Sequence, residues 1–254
     1  AQTAPAFERH EGRIIMRQVR ARDSDVEAWL AALLGLPAFG GRVQLRMNLE
    51  TATIYANELI EFFKPYCERI EIAGGIRRKK DEPHDIEIVA IPKFTDATLG
   101  FFQPVMENSL DSKIKGLLHD GGWDLTHTLG YGDKDKKGKR APCGPKYYRL
   151  KYRGEKLDLF AVLPPAQWGV IFTIRTGDAG FSHWLVQQGW DKGIVVSDGA
   201  VEQCVNKDGS LNLNCGGTVG TFDFKPLDTP EESDVFRILG VSYIEPEKRI
   251  GTPK

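Results

Sequence analysis

The sequence predicts an α+β fold, because segments with helical periodicity and segments with strand alternation are mixed along its 254 residues. Apolar residues recur at helical spacing in 49–63, whereas 84–91 (HDIEIVAI) alternates charged and apolar side chains as a half-buried strand does. The tail, 192–254, combines both patterns in a smaller α+β unit. A chain of this length can bury a sizeable core, in one large domain or two small ones.

The composition is that of an ordinary soluble globular protein, with 41% hydrophobic and 27% charged residues. The formal net charge of -1 gives no overall basic excess, although a neutral total can conceal basic surfaces. The four cysteines include no CxxC pair, so reduced thiols are expected; Cys204 and Cys215 could join a metal site, but buried or half-buried thiols are favoured. Since neither a membrane span nor a secretory signal is present, we expect no membrane partner and a cytoplasmic, nucleoid-associated or nuclear location.

The amino-terminal part, 1–43, is predicted to be an arm followed by one helix. Residues 1–22 are polar and rich in arginine, which indicates a poorly ordered leader or a basic arm. Ser24 can cap a helix whose apolar residues recur at helical spacing, and the glycines and proline of 35–41 end it.

The middle of the chain alternates between helices and strands. The amphipathic helix over 49–63 is ended by Pro65, and the paired glycines Gly74-Gly75 precede a basic run at 77–80. The other elements predicted here are a strand at 69–73, a strand at 84–91, a helix at 106–119, and strands at 123–130 and 146–163 separated by a lysine-rich loop.

The last part of the chain begins with an apolar run, 165–176, which continues into a predicted helix–turn–helix. A further helix is predicted to start at Thr229, with Pro230 at its first position and Glu232 at its third. Gly240 ends that helix.

Two acidic residues on the strand 84–91 form the first candidate site. Residues two apart on a strand point to one face, so Asp85 and Glu87 converge, and adjacent carboxylates of this kind suit Mg²⁺ or Mn²⁺. For the pair alone, a charged outer face of an amphipathic strand is the favoured interpretation. The context changes this, because Gly74 and Gly75 let backbone N–H groups approach an anion and Arg78 adds a forked donor for phosphate oxygens.

A third acid lies on a later strand, in Lys156-Leu157-Asp158-Leu159-Phe160. The apolar neighbours indicate burial, where an unpaired acid is costly. This strand can lie beside the first one and place Asp158 near Asp85, which would complete a site for a second cation.

These motifs resemble those of the family X DNA polymerases, whose signature is G-S-x-R-R, a spacer and D-x-D. The matching segments are Gly74-Gly75-Ile76-Arg77-Arg78, Asp85-Ile86-Glu87, Leu157-Asp158-Leu159-Phe160, Leu45-Arg46-Met47 at the entry to the palm, Arg175 to Ser182 for the incoming nucleotide, and 232–249 for the closing thumb. The resemblance implies a polymerase beta-like nucleotidyltransferase palm over 44–164, with a mixed sheet flanked by helices. It also implies nucleotide-contacting helices and a small α+β thumb over 165–254, in a compact form without the amino-terminal lyase domain.

The activity that the resemblance implies is transfer of a nucleotide from a nucleoside triphosphate to a 3′-hydroxyl, with two Mg²⁺ or Mn²⁺ ions held by Asp85, Glu87 and Asp158. The nucleotide would be contacted by Arg46, Gly74, Gly75, Arg78, His84, Thr176, Gly177, Asp178 and Ser182. The implied nucleic-acid contacts are Lys137, Lys139, Arg140 and Lys156, and the implied partner of a monomeric enzyme is a DNA primer or primer-template.

Three positions depart from the family pattern. Gly75 stands in place of serine, Glu87 in place of aspartate, and Ile174-Arg175 in place of two aromatic residues. The last departure predicts weaker discrimination against ribonucleotides.

Two other functions remain open beside primer extension by a small DNA polymerase. One is template-independent transfer to nucleic-acid ends or to a small acceptor, and the other is an inactive nucleotide- or nucleic-acid-binding module. The presence of all three acids argues against the inactive module, and the thumb-like tail favours a polymerase over a small-acceptor enzyme.

Overall fold

The computed structural model of the chain describes residues 3–10, 13–20, 47–97, 105–120, 125–127, 143–213 and 222–253. The chain forms two compact units, Ala1–Leu45 and Arg46–Lys254. None of the helices among the described residues has the length and apolar character needed to cross a membrane.

The first unit contains an antiparallel pair of strands, β1 (Thr3–His10) and β2 (Arg13–Arg20), with Thr3 opposite Arg20 and His10 opposite Arg13. The expectation of a poorly ordered leader is therefore wrong for these residues. The arginines dominated that interpretation, whereas Ile14, Ile15 and Val19 have the β-branched side chains that favour strands. The helix predicted after Ser24 lies outside the described residues.

The larger sheet of the second unit contains β3 (Cys67–Ile72), β4 (Ile86–Pro92), β7 (Leu125–His127), β8 (Cys143–Gly144), β9 (Tyr147–Tyr152) and β10 (Glu155–Ala161). The strand order is β3-β4-β10-β9-β7, and the short β8 also pairs with β9. Among these described strands, β4 and β10 run parallel and the other pairs are antiparallel, so the sheet is mixed, as expected.

One face of this sheet is covered by α1 (Leu49–Phe63) and α3 (Ser109–Asp120), while a short helix α2 (Gly74–Arg77) follows β3. Helix α1 has the predicted bounds, and the Asn48 side chain caps it by accepting from the Thr51 N–H at 2.8 Å. Its apolar stripe packs against the inward side chains of β4 and β10. Each fully buried aliphatic or aromatic side chain in this layer contributes about 2 kcal/mol to the stability of the fold. The buried residues of this layer include Ala56, Leu59, Phe63, Ile86, Ile88, Leu110, Ile114, Leu157 and Leu159.

The opposite face of the sheet carries Val89 and Phe160, which pack against Trp168 and Phe172 of α4 (Trp168–Thr176). Because side chains alternate along a strand, Asp158 lies on this face, two residues before Phe160. Helix α4 is followed by α5 (Ala179–Gln187), in agreement with the predicted helix–turn–helix.

The remaining chain builds a three-stranded antiparallel sheet of β11 (Ile194–Ser197), β12 (Ala200–Asn206) and β13 (Phe222–Leu227). It packs with α5 and with α6 (Glu232–Leu239) around a separate core. That core contains Val170, Phe181, Leu185, Ile194, Val201, Val235, Phe236 and Leu239.

Several predicted bounds need correction. Helix α6 begins at Glu232 rather than after Thr229, because Glu231 and Asp234 form the capping box. The Thr229 N–H instead donates to the Gln167 side chain at 2.6 Å. Gly240 ends the helix in the left-handed conformation, with φ 69°, as expected.

The predicted helix 106–119 also begins late. Residues Met106–Asn108 form a strand, β6, which pairs with β5 (Phe94–Asp96), and α3 starts at Ser109. Strand β4 starts at Ile86, so Asp85 immediately precedes it.

Of the four cysteines, Cys67 and Cys204 are buried. Burial raises the pKa of the Cys67 thiol to about 12, although the charge of Lys93 opposes this shift. Cys215 lies outside the described residues.

Candidate functional site

The parallel pairing of β4 and β10 brings the three predicted acids together. Glu87 is the direct partner of Asp158, and backbones of neighbouring strands lie about 4.8 Å apart. The ammonium of Lys156 lies 2.5 Å from Asp85 Oδ2 and 3.2 Å from Asp158 Oδ2. Asp85, Glu87 and Asp158 therefore occupy one site, which we call the acid cluster.

Gly74 allows the acid cluster to sit against the start of α2. Its φ is +60°, and a Cβ at this position would lie 1.7 Å from Glu87 Oε2 and 2.8 Å from Glu87 Cβ. The Ala73 N–H also donates to the Glu87 carbonyl at 2.8 Å. Gly75 differs, because a Cβ there would meet only Pro83 and Lys80 atoms at 3.6 Å or more, which is ordinary contact. The space at position 75 thus accepts a side chain such as serine, whereas position 74 requires glycine.

The pKa of Glu87 is raised to about 7. Burial is the largest cause, the charges of Asp85 and Asp158 add to it, and the charges of Arg78 and Arg175 oppose it. A cation bound at the acid cluster would lower this pKa, because it favours the ionised carboxylate.

Asp158 is buried and surrounded by donors. Arg149, its partner on β9, donates from Nε to Oδ1 at 3.0 Å and from Nη2 to Oδ2 at 3.1 Å. Lys156 adds its charge, with Nζ 3.2 Å from Oδ2. Burial alone would raise the pKa of Asp158, but the hydrogen bonds and charges of these neighbours lower it below its usual value. Burial, followed by the charge of Asp158, raises the pKa of Tyr147.

The two arginines after Gly75 connect α2 to the end of α4. Arg78 donates from Nη1 to the Thr176 carbonyl, and Arg77 donates to the Thr176 hydroxyl at 2.6 Å. Arg77 also donates to both carboxylate oxygens of Glu232, at 2.8 and 2.6 Å. Glu232 accepts a further bond, at 2.5 Å, from the fully buried Arg249. These bonds form a charge network in which Glu232 lies between Arg77 and Arg249.

The predicted nucleotide contacts at 177–182 have internal partners. Asp178 caps α5 by accepting from the Phe181 N–H at 2.7 Å, and it accepts from the Gly251 N–H at 3.0 Å. The Ser182 hydroxyl donates to the Ile174 carbonyl at 2.8 Å, and a Cβ at Gly177 would lie 2.3 Å from the Phe181 ring. These groups hold the α4–α5 turn in shape, and their contact with a nucleotide stays a prediction.

Other predicted residues are located as follows. His84 is exposed and precedes β4. Lys156 lies within the acid cluster, where it makes ion pairs with Asp85 and Asp158. The predicted contacts Arg46, Lys137, Lys139 and Arg140 lie outside the described residues.

The sequence analysis missed Arg149, Tyr147 and the network of Arg77, Glu232 and Arg249. The alternation in 147–152 (YYRLKY) was a usable signal, because it places Tyr147 and Arg149 on one face of a strand. The two-residue turn at Arg153-Gly154 then pairs this strand with 155–161, in the register that brings Arg149 opposite Asp158. The Arg249–Glu232 bond carries no sequence signal of this kind.

The acid cluster suits divalent cations in its chemistry, because carboxylate oxygens are the ligands that Mg²⁺ and Mn²⁺ prefer. In the part of the chain that the structure describes, however, no three His, Cys, Asp or Glu side chains are arranged to hold a metal ion. The ammonium of Lys156, bonded to both Asp85 and Asp158, supplies a positive charge between these two acids. The chemistry of the three carboxylates therefore suits Mg²⁺ or Mn²⁺, while Lys156 balances the charge of two of them in this structure.

Comparison with solved structures decides the fold. The chain is similar to the crystal structure of Leishmania infantum polymerase beta in a ternary P/T complex, with a TM-score of 0.54 over 88% of this chain and 87% of that chain. The fold is polymerase beta-like. The sequence identity is 18%, so this likeness concerns the fold alone. No protein-family profile matches the sequence. No curated protein matches it either.

Proposed function

We propose that this protein transfers a nucleotide from a nucleoside triphosphate to the 3′-hydroxyl of a DNA primer, as an enzyme of the family X type. The observation that carries the proposal is the meeting of Asp85, Glu87 and Asp158 on one face of a polymerase beta-like sheet, against the glycine that begins α2. We assign 44–164 to the palm and 165–254 to the nucleotide-contacting helices and thumb.

The three acids would hold two divalent cations. Bound there, such ions lower the pKa of an attacking hydroxyl and neutralise the triphosphate and the leaving pyrophosphate. Asp85 and Glu87, beside α2, would hold the ion on the triphosphate side. Asp158 would complete the site on the hydroxyl side.

The phosphate groups would be oriented by the backbone at Gly74-Gly75 and by Arg78. The bond from Arg78 to the Thr176 carbonyl uses one of the five N–H donors of a guanidinium, which leaves others for phosphate oxygens. The charge of Arg78 lowers the pKa of Glu87, so this side chain is close enough to act electrostatically on groups at the acid cluster. Positive charge at this place stabilises the negative charge that develops during transfer.

The lysine-rich segment around Lys137, Lys139 and Arg140, together with Lys156, would attract a polynucleotide backbone. Such contacts weaken with salt, so primer binding is expected to fall steeply as ionic strength rises.

An inactive nucleotide-binding module is the second candidate function. It is favoured by the hydrogen bonds that Asp158 already accepts from Arg149 and by its ion pair with Lys156. A protein of this kind would bind a triphosphate without transferring it.

The test is a labelled primer, with and without template, incubated with each triphosphate and Mg²⁺ or Mn²⁺. Extension by the wild-type protein, abolished in Asp158→Ala while triphosphate binding is largely retained, is the expected result. The matched control is Asp191→Ala, which removes an exposed acid from a short 3-10 helix and should extend normally. Triphosphate binding without extension would select the inactive module, and extension without template would select template-independent transfer.

A further inference from the structure

Asp158 is held by two basic side chains. Arg149 donates to Oδ1 and Oδ2, at 3.0 and 3.1 Å, and the ammonium of Lys156 lies 3.2 Å from Oδ2. Two positive charges therefore lie against the carboxylate, where they repel an approaching cation. A cation gains an oxygen of Asp158 most readily when one of these side chains leaves.

Both basic side chains are placed so that their charged ends can move away from Asp158. The side chains of Arg149 and Lys156 are 40% and 35% exposed, so both reach solvent, whereas the Asp158 side chain is only 6% exposed. Both basic side chains are long, and their charged ends can move to a nearby anion while their stems stay in place.

Arg149 and α2 lie on opposite sides of the acid cluster. In the strand order β3-β4-β10-β9, α2 follows β3 and meets Glu87 of β4, whereas Arg149 lies on β9, two strands and about 10 Å beyond Glu87. A polynucleotide strand carries phosphates at regular spacing, so it can present one at Arg149 while α2 remains free for a triphosphate.

We propose that Arg149 and Lys156 together block the carboxylate of Asp158, an arrangement that we call the cage. The backbone phosphates of a bound nucleic-acid strand open the cage by attracting these two side chains away from Asp158. Binding of the strand then frees Asp158 for a divalent cation. This inference rests on the proposed function, since it deepens the role of the same site. It assigns Arg149 as a positioning residue that links occupancy of the strand site to occupancy of the cation site.

Because linkage is reciprocal, the strand tightens cation binding by the same factor by which the cation tightens strand binding. We expect this factor to be about tenfold, within the range usual for coupled sites. In a protein without Arg149 the cation should bind tightly in the absence of a strand, and the coupling should largely disappear.

The experiment measures free Mn²⁺ by electron paramagnetic resonance, with and without a single-stranded oligodeoxynucleotide that ends in a 3′-deoxy sugar. No triphosphate is present, so no transfer takes place. Wild type, Arg149→Gln and Lys156→Gln are compared, and Asp158→Asn corrects for Mn²⁺ held by the oligonucleotide. Arg153→Gln is the matched control, because Arg153 lies at the end of the same strand region and pairs with Glu58 instead.

The expected result is tighter Mn²⁺ binding by the wild type when the oligonucleotide is added, and equally tight binding by Arg149→Gln without it. Arg153→Gln should behave as the wild type. A wild-type affinity that does not change with the oligonucleotide overturns the cage, as does an Arg149→Gln affinity that equals the wild-type value without it. If Arg149→Gln does not fold, Lys156→Gln decides by the same comparison.

Primer extension is assayed in parallel, so that the two proposals can fail separately. Extension without Mn²⁺ coupling leaves the proposed function standing and removes the cage. Coupling without extension supports the cage and removes the transfer reaction.

Discussion

Replacing Gly74 with alanine tests how tightly the acid cluster depends on the start of α2. The residue has φ +60°, where a side chain is strained by about 1–2 kcal/mol. The new Cβ would also lie 1.7 Å from Glu87 Oε2 and 2.8 Å from Glu87 Cβ, so the whole Glu87 side chain must move. Overpacking of this kind costs about 1–3 kcal/mol. We expect Gly74→Ala to lower the free energy of unfolding by about 2–5 kcal/mol.

Two other glycines separate the cost of backbone strain from the cost of the collision with Glu87. Gly154 has φ +84° but open space around its Cα, so Gly154→Ala carries the backbone strain without the collision and should lose about 1–2 kcal/mol. Gly75 has ordinary contacts and no positive φ, so Gly75→Ala should lie within about 1 kcal/mol of the wild type. The measurement is urea unfolding of the three variants in parallel.

Cation binding supplies the functional measurement for the same variants. Displacement of Glu87 by Gly74→Ala should weaken Mn²⁺ binding, while Gly154→Ala and Gly75→Ala should retain it. Equal stability and equal Mn²⁺ affinity for Gly74→Ala and Gly75→Ala would refute the placement of Glu87 against α2.

Three further predictions concern charge and the nucleotide pocket. The pKa of Glu87 is about 7 in the folded protein and 4.5 ordinarily, so ionisation of this side chain destabilises the cation-free protein as pH rises through this window. By urea unfolding, Glu87→Gln should therefore be more stable than the wild type by about 3 kcal/mol at pH 8. At pH 4 the two proteins should be equally stable. Glu232→Gln leaves two guanidinium groups without their carboxylate and should lower the unfolding free energy by about 3–5 kcal/mol in the same assay, whereas a loss under about 1 kcal/mol would contradict the network. The wild-type protein should discriminate against ribonucleotides by less than about a hundredfold, measured as the ratio of kcat/KM for deoxy- and ribonucleoside triphosphates on one primer. This ratio should rise in Arg175→Phe. Strong discrimination by the wild type would show that the backbone at Thr176-Gly177 is enough to exclude the ribose hydroxyl.

The fold was predictable where the pattern was long and regular. The apolar periodicity of α1 predicted both ends of the helix correctly. The alternation around Glu87 and Asp158 placed these two acids on strands, and the structure pairs those strands directly. Both cases depend on one face of an element being buried, which local periodicity records.

Short elements and long-range bonds were not predictable in this way. Strand β6 has three residues, too few for a period to be visible, and it was absorbed into the following helix. The hairpin turn at Asp198-Gly199 was a missed signal, since both residues have positive φ and the Asp-Gly pair favours such turns. The contact of Arg149 with Asp158 was a second missed signal, because the two-residue turn at Arg153-Gly154, with positive φ at both residues, joins β9 and β10 as a hairpin and sets their register.

The bonds of the Glu232 carboxylate have a consequence for the order in which the nascent protein matures. Its two guanidinium partners lie 155 residues before it and 17 residues after it. Chains fold from the amino terminus as they leave the ribosome, so the strands of the larger sheet emerge well before Arg249 does. Until then Glu232 meets Arg77 alone, and Asp178 lacks the N–H of Gly251. Ribosome stalling before residue 249 would thus leave the Glu232 carboxylate at the start of α6 and the Asp178 cap of α5 without these partners, and both helices would be exposed to chaperones and proteases for longer.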